Sequence, residues 1–327
     1  MGNRVMISSA SRSHVVAICL VLLLVCLQSA AICQSSGDAP VKMKISVQKE
    51  AFLVGEPILI NCEFTNVSNE SISFLPKKAI DFVFIGFRIT RPDGKIYQFL
   101  PGVEVELNRH ALVKPIVLSP GDSCNQIINP IVGIVMNEAK GRTLDFVMRA
   151  PGTYQITAVY KNPYHFTKVA VWSGEIVSSN SVSLKIVKPQ GEDAEALAAW
   201  DSPAIKKLFG YYGTAHGSKQ LAALKAFVEN YPNSAYSDYA NYYLAECYQF
   251  INPHRFEDAI PQYEVALGRL PEASILHSMA QLNLGLSLCA TGKATEGVEV
   301  LKQFLGSQTM PNMMVSEAKA AIAAAEN

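Results

Sequence analysis

The residue types that perform catalysis or bind metal ions are present in this chain, but their spacing forms no recognisable site. A histidine that acts as a general base needs a partner that orients it, and structural zinc takes four ligands. His254 and Glu257 come closest to such a pair, because they would lie on adjacent turns of a helix. We interpret this stretch as a solvated turn between two helices.

Sequence motifs for nucleotide binding and nucleophilic catalysis are also missing. The chain contains no Gly-x-Gly-x-x-Gly, no Gly-x-x-x-x-Gly-Lys, no His-Glu-x-x-His and no Gly-x-Ser-x-Gly. The other histidines beyond the amino-terminal segment are scattered among predicted turns and helix ends: His110, His165, His216 and His277. The sequence therefore predicts a protein that is not an enzyme and that has no cofactor, no metal and no catalytic residue.

Composition limits the protein class further. The chain has 327 residues, of which 49% are hydrophobic, and its 28 basic residues balance 28 acidic ones. This length allows about two compact domains, and the apolar fraction excludes a mainly disordered chain. A chain with a net charge of zero has no excess of basic residues, which nucleic-acid binders and polybasic membrane-surface proteins usually have. The remaining class is an ordinary globular protein.

The amino-terminal segment has the pattern of an export signal. Residues 1–14 contain Arg4 and Arg12 but no acidic residue, and the segment Val15–Leu27 is wholly apolar. Small residues follow at Ser29–Ala31. A basic region, a short apolar region and small residues before a cleavage site define a secretory signal peptide.

We therefore predict a signal peptide over residues 1–33 and a linker over 34–40. The mature protein would start near Ile32 or Gln34 and be extracytoplasmic, either periplasmic or secreted. Two alternatives stay open. The apolar segment could remain as an uncleaved anchor, although it is short for a bilayer, or Cys33 could carry lipid.

Residues 41–188 show the two-residue periodicity of β-strands. Val41–Val47 and Ile58–Phe64 alternate apolar and polar residues, as half-buried strands do. Ala79–Thr90 is apolar in both phases, and Pro92–Gly94 marks a hairpin turn. About eight short strands separated by such turns predict an antiparallel β-sandwich.

Four cysteines lie beyond the signal segment, at Cys62, Cys124, Cys247 and Cys289. No Cys-x-x-Cys and no Cys/His cluster indicates zinc or redox chemistry. Buried cysteines commonly act as small hydrophobic residues, which is the first interpretation. A disulfide between Cys62 and Cys124 is the alternative in an oxidising compartment.

Short motifs in this half resemble immunoglobulin-like domains of bacterial exported proteins. They are Val54–Pro57, Phe64–Asn66, Leu118–Gly121 and Ala150–Tyr154. The resemblance implies that Tyr154 forms a tyrosine corner, in which its hydroxyl bonds back to the chain. Ile156 stands where an antibody domain has its second cysteine, so the disulfide between the sheets of antibody domains is not expected. The resemblance implies a fold and not an activity.

Beyond a polar linker at 189–195, residues 196–327 have helical periodicity. Helices are predicted at about 194–211, 218–230, 235–251, 255–270, 273–291, 293–306 and 313–326. The spacing of Leu244, Tyr248, Ala259, Tyr263 and Ala266 matches that of a tetratricopeptide repeat, and a second copy begins at Leu284-Gly285. The segment from Tyr231 to Ala245 is similar to repeats of periplasmic outer-membrane assembly and Tol-Pal coordinator proteins.

The tetratricopeptide resemblance implies a concave groove lined by the first helix of each repeat. The positions carried over to this chain are Tyr239, Tyr242, Glu246, Gln249, Met279, Leu282, Leu286 and Cys289. Since these are mainly aromatic at one end and aliphatic at the other, the groove would suit an apolar peptide or helix. The alternative is that the last helix, or the β-sandwich, covers this surface as part of the core.

Three functions fit the sequence. The first is a non-catalytic, exported interaction scaffold of the cell envelope, which binds a protein or peptide through the helical repeats, the sandwich loops or both. The second is an exported inhibitor or ligand-binding protein that acts through the loops of residues 41–188. The third is an envelope enzyme with an unfamiliar site.

Overall fold

A computed structural model describes residues 39–74, 85–99, 116–129, 132–137, 141–160, 177–209, 217–251, 253–306 and 312–326. The predicted signal peptide and its cleavage site lie outside these residues. The protein is a mixed β and α protein, in which strands occupy the first part of the chain and helices the second.

Twelve strands lie within the described residues. They are β1 (Val41–Val47), β2 (Ala51–Leu53), β3 (Ile60–Asn66), β4 (Ile72–Phe74), β5 (Ile85–Thr90), β6 (Ile96–Phe99), β7 (Ile116–Leu118), β8 (Ser123–Ile128), β9 (Val132–Asn137), β10 (Gly141–Phe146), β11 (Gly152–Tyr160) and β12 (Val177–Val187). The predicted alternation is confirmed in β1, where Met43 and Ile45 are buried and Lys42 and Lys44 are exposed.

The strands form two larger sheets and two strand pairs. One sheet has the order β1-β3-β8 and the other β2-β12-β11-β5-β6, while β4 pairs with β7 and β9 with β10. All pairings are antiparallel except that of β2 with β12. The larger sheets face each other, since the rings of Phe64 and Tyr160 meet edge to face at 5.2 Å.

Two side-chain contacts fix the β part beyond its ladders. The side chain of Asn180 on β12 accepts a hydrogen bond from the Ile45 amide at 2.7 Å and donates one to the Ile45 carbonyl at 3.1 Å. The bond predicted for Tyr154 is confirmed, because its hydroxyl donates to the Ala150 carbonyl at 2.8 Å. Both contacts satisfy backbone groups that burial would otherwise leave unpaired.

Cys62 and Cys124 are buried on adjacent strands. Cys124 lies opposite Phe64, and Cys62 lies opposite Gln126, so the two cysteines are diagonal neighbours. Diagonal neighbours are about 7–8 Å apart, which exceeds the usual Cα separation of a disulfide. This register favours the first interpretation, in which the two cysteines act as small buried hydrophobic residues.

Eight helices follow in the described residues. They are α1 (Glu192–Trp200), α2 (Pro203–Phe209), α3 (Ser218–Asn230), α4 (Ala235–Phe250), α5 (Phe256–Arg269), α6 (Ile275–Ala290), α7 (Ala294–Gly306) and α8 (Asn312–Ala325). Consecutive helices from α3 to α8 pack against one another. The prediction of a single helix at about 194–211 is wrong, because the chain forms two helices there and the second begins at Pro203. Proline is well placed in a first helical turn but disrupts a helix interior.

Helix starts and helix crossings follow from particular small residues. Ser234 caps α4 and Ser274 caps α6, each accepting a hydrogen bond from an amide of the first turn. Between α6 and α7, a Cβ atom added at Gly285 would lie 2.6 Å from Leu301, and one added at Gly297 would lie 2.8 Å from the Gly285 carbonyl. These glycines therefore permit the close approach of the two helices.

The described residues from Pro40 onward belong to one compact unit. Helix α1 begins at Glu192, inside the stretch predicted as a linker. Among the described residues, no helix is both long and apolar enough to cross a membrane.

Candidate functional site

The tyrosine end of the predicted groove is packed against other parts of the chain. Tyr242 on α4 is fully buried, and its hydroxyl donates to a Glu246 carboxylate oxygen at 2.7 Å. Gln249 is also buried, and its side-chain oxygen accepts from the hydroxyl of Tyr263 on α5 at 2.5 Å. Tyr239 is half-buried and contacts the β part of the chain.

The aliphatic end of the predicted groove lies on α6. Leu282 is buried there, whereas Met279, Leu286 and Cys289 are half-buried. All four pack against the core of the helical part. The structure therefore places the predicted residues on neighbouring helices, but the two ends of the set differ in how much side chain reaches solvent.

A turn between β2 and β3 brings the β part to the helices. We call Val54–Leu59 the joint segment. Its Gly55 carbonyl accepts a hydrogen bond from the Trp200 indole nitrogen at 2.7 Å, and its Val54 carbonyl accepts one from the Tyr236 hydroxyl at 2.5 Å. Leu59 joins the hydrophobic core of the helices. Two buried aromatic donors thus replace the water that these carbonyls would otherwise bind.

Local geometry explains how the joint segment makes its turn. Gly55 has φ of 81°, a left-handed conformation that side-chain-bearing residues adopt rarely. The Glu56 amide then donates to the Leu53 carbonyl at 3.1 Å and closes the turn. Gly55-Glu56-Pro57 is a typical turn sequence, but nothing in it indicates that helices cover the turn.

Glu56 is the central polar residue of this contact. The residue is only 2% exposed, and its side chain accepts a hydrogen bond from the Leu53 amide at 2.7 Å and also contacts the Tyr239 hydroxyl and the Lys49 ammonium. Burial, with the Glu56 carboxylate beside it, raises the pKa of Tyr239. Nothing in the sequence around Glu56 indicates its role between the two parts.

A second polar contact joins the parts near the start of the helices. Asp201, which follows α1, pairs with Arg149 from the segment after β10. Lys206 on α2 also pairs with Asp201 at 3.0 Å. No group of three or more His, Cys, Asp or Glu side chains suited to a metal ion occurs in the described part of the chain.

Glu246 has an unusual ionisation within the helical part. Burial raises the pKa of Glu246 to about 7, and the hydrogen bond from Tyr242 only partly offsets this effect. The unfolded chain should lose this proton near pH 4.3. Between these values the folded protein holds the proton and the unfolded chain does not, so the free energy of unfolding falls as pH rises.

We expect wild-type protein to lose about 1–3 kcal/mol more stability between pH 5 and pH 8 than the Glu246→Gln variant. The amide keeps the size and an acceptor for Tyr242 but does not ionise. Urea unfolding of both proteins at the two pH values measures the difference. Parallel pH profiles for the two proteins would contradict the raised pKa.

Comparison with known proteins gives no family. No protein-family model and no curated protein matches the chain significantly. Among solved structures, a β-glucosidase from Listeria innocua is 10% identical with a TM-score of 0.25, and the match covers 46% of this chain and 16% of that one. This chain therefore spans only a small fraction of that enzyme's length.

Two further solved structures show similarly weak likeness. Spo0M, a sporulation control protein from Bacillus subtilis, is 10% identical with a TM-score of 0.22, covering 49% of this chain and 54% of that one. The alkylpurine DNA glycosylase AlkC from Pseudomonas fluorescens is 11% identical with a TM-score of 0.24, covering 48% and 33%. Likeness at this level assigns neither a fold nor an activity.

Proposed function

We propose that the protein is an exported, non-catalytic interaction scaffold, in which an immunoglobulin-like β-sandwich and a tetratricopeptide-like helical repeat act as one rigid unit. The observation that carries this proposal is the joint segment. Its carbonyls bind Trp200 and Tyr236, and its Glu56 binds Tyr239. A joint of buried hydrogen bonds holds two surfaces at a fixed angle, which is what a scaffold requires.

The two parts of the proposal have separate support. The facing sheets and the Tyr154 hydrogen bond favour the immunoglobulin-like class. The consecutive helix pairs and the close glycine crossing between α6 and α7 favour a helical repeat. Export rests on the basic and apolar pattern of residues 1–33.

The partner site follows from which end of the predicted groove is accessible. The joint segment packs on the tyrosine end, so a partner would have to displace part of the core there. Met279 and Leu286 on α6 are half-buried, and Met314 and Val315 on α8 are half-buried as well. We therefore assign the contact to this aliphatic end, and the partner to a protein that offers an apolar peptide segment or helix.

The test is affinity capture from the native cell envelope with three tagged proteins. Wild type is compared with a Met279→Gln/Leu286→Gln double variant and with a Val265→Gln control, whose replaced side chain on α5 is 44% exposed. We expect wild type and control to capture the same protein in similar amounts. The double variant should capture at least tenfold less of it. Equal capture by all three folded proteins would overturn the assignment.

A further inference from the structure

A cavity of about 150 Å³ lies between the β part and the turn that connects α5 to α6. One wall comes from β2 and the joint segment, through Phe52, Pro57 and Leu59. The opposite wall comes from Leu270, Pro271 and Leu276. The cavity therefore exists only because the two parts of the chain meet.

The size and lining of the cavity indicate which apolar group of a ligand would fit into it. An engineered protein cavity of the same volume, lined by apolar side chains, binds benzene. Most of the lining here is apolar as well, and it comes from several elements of the chain. One phenyl ring or one branched four-carbon group would fill the space.

The charge at the cavity indicates which group the ligand carries beside its apolar body. Among the described residues, Lys49 is the only charged one that lines it. Its side chain is 47% exposed, and its ammonium lies 4.9 Å from the centre of the Phe52 ring. The apolar wall and the positive charge are therefore adjacent.

The ion pair of Lys49 with Glu56 leaves donor capacity at the cavity. Glu56 is 3% exposed in its side chain and already accepts from Leu53 and Tyr239. An ammonium group has three N–H donors, and one carboxylate contact does not use them all. Ser274, the cap of α6, also lines the cavity, so the positive end of a helix dipole lies on the same side.

We propose that this cavity binds a small monocarboxylate whose apolar body is the size of one phenyl ring. The body lies between Phe52 and Leu276, and the carboxylate pairs with Lys49. This site is separate from the aliphatic end of the groove and does not depend on the scaffold function.

The test uses phenylacetate and its neutral analogue phenylacetamide as probes. Ten heavy atoms in a small open cavity correspond to a dissociation constant on the order of 1 mM, which ligand titration by NMR measures. We expect phenylacetate to bind wild type about three- to fivefold more tightly than phenylacetamide, the size of a partly exposed ion pair. Backbone amide signals of residues 273–276 should shift during the titration.

Variants of Lys49 test whether this residue causes the preference for phenylacetate over phenylacetamide. Lys49→Met should abolish the preference for phenylacetate, and Lys49→Arg should keep it, while Lys44→Met removes an exposed lysine of β1 and should change nothing. Circular dichroism confirms that each variant is folded at the assay temperature. Absence of binding to wild type, or an unchanged preference in folded Lys49→Met protein, would overturn the proposal.

Discussion

Replacing Trp200 with alanine is expected to lower the free energy of unfolding by about 3–5 kcal/mol, because it removes a large aromatic side chain from the core. Trp200 is fully buried, and its ring packs against Phe209, Phe227 and Tyr236 at centroid distances of 5.2–5.5 Å. The substitution leaves a cavity among these rings and an unpaired Gly55 carbonyl. Urea unfolding followed by circular dichroism measures the loss.

Two further variants separate packing from hydrogen bonding at Trp200. Trp200→Phe keeps most of the ring contacts but removes the bond to Gly55, so it should cost about 1–3 kcal/mol. Phe304→Leu, at a buried site on α7 away from the joint segment, is the packing control. If Trp200→Phe were as stable as wild type, the hydrogen bond would contribute nothing to holding the joint.

The sequence predicted those features that depend on nearby residues. Alternation in Val41–Val47 predicts the strand, because side chains in a strand point to opposite faces in turn. The predicted helix start at about residue 235 follows a serine, whose side chain can bond the free amides of the first turn. The tyrosine at position 154 also bonds only four residues back. Each of these interactions is complete within a few residues.

Features that depend on distant residues could not be predicted in this way. The bond from Tyr236 to Val54 spans 182 positions, and the contact from Tyr239 to Glu56 spans 183. Taken alone, the sequence around Val54 and Glu56 predicts a surface turn, and the sequence around Tyr236 and Tyr239 predicts an amphipathic helix. The buried hydrogen bonds become visible only once the turn and the helix are packed together.

The candidate groove shows the same distinction. Helical spacing correctly groups Tyr239 and Tyr242 on one helix and Met279 and Leu286 on another. Which of these side chains another part of the chain covers depends on where the β part lies. The periodicity of one helix carries no information about that placement, so covered and open grooves were both consistent with the sequence.

Glu56→Ala is expected to lower the free energy of unfolding by about 2–4 kcal/mol, because it leaves two buried hydrogen-bond donors without their acceptor. The Leu53 amide and the Tyr239 hydroxyl both lose their acceptor, while Lys49 can turn to solvent. Glu50→Ala, at an exposed position just before β2, should stay within about 0.5 kcal/mol of wild type. Chemical unfolding at pH 7 compares the three proteins.

A double-mutant cycle shows whether Glu56 acts through the helices or only within its own turn. Tyr239→Phe alone should cost about 1.5–3 kcal/mol, since it removes a hydrogen bond to a charged group. If Glu56 and Tyr239 hold the two parts together, the double variant should be more stable than the sum of the single losses predicts, by about 1–2 kcal/mol. Strict additivity would mean that Glu56 stabilises the turn after β2 and nothing beyond it. The interaction energy therefore measures the polar coupling between the β part and α4, which the scaffold proposal requires.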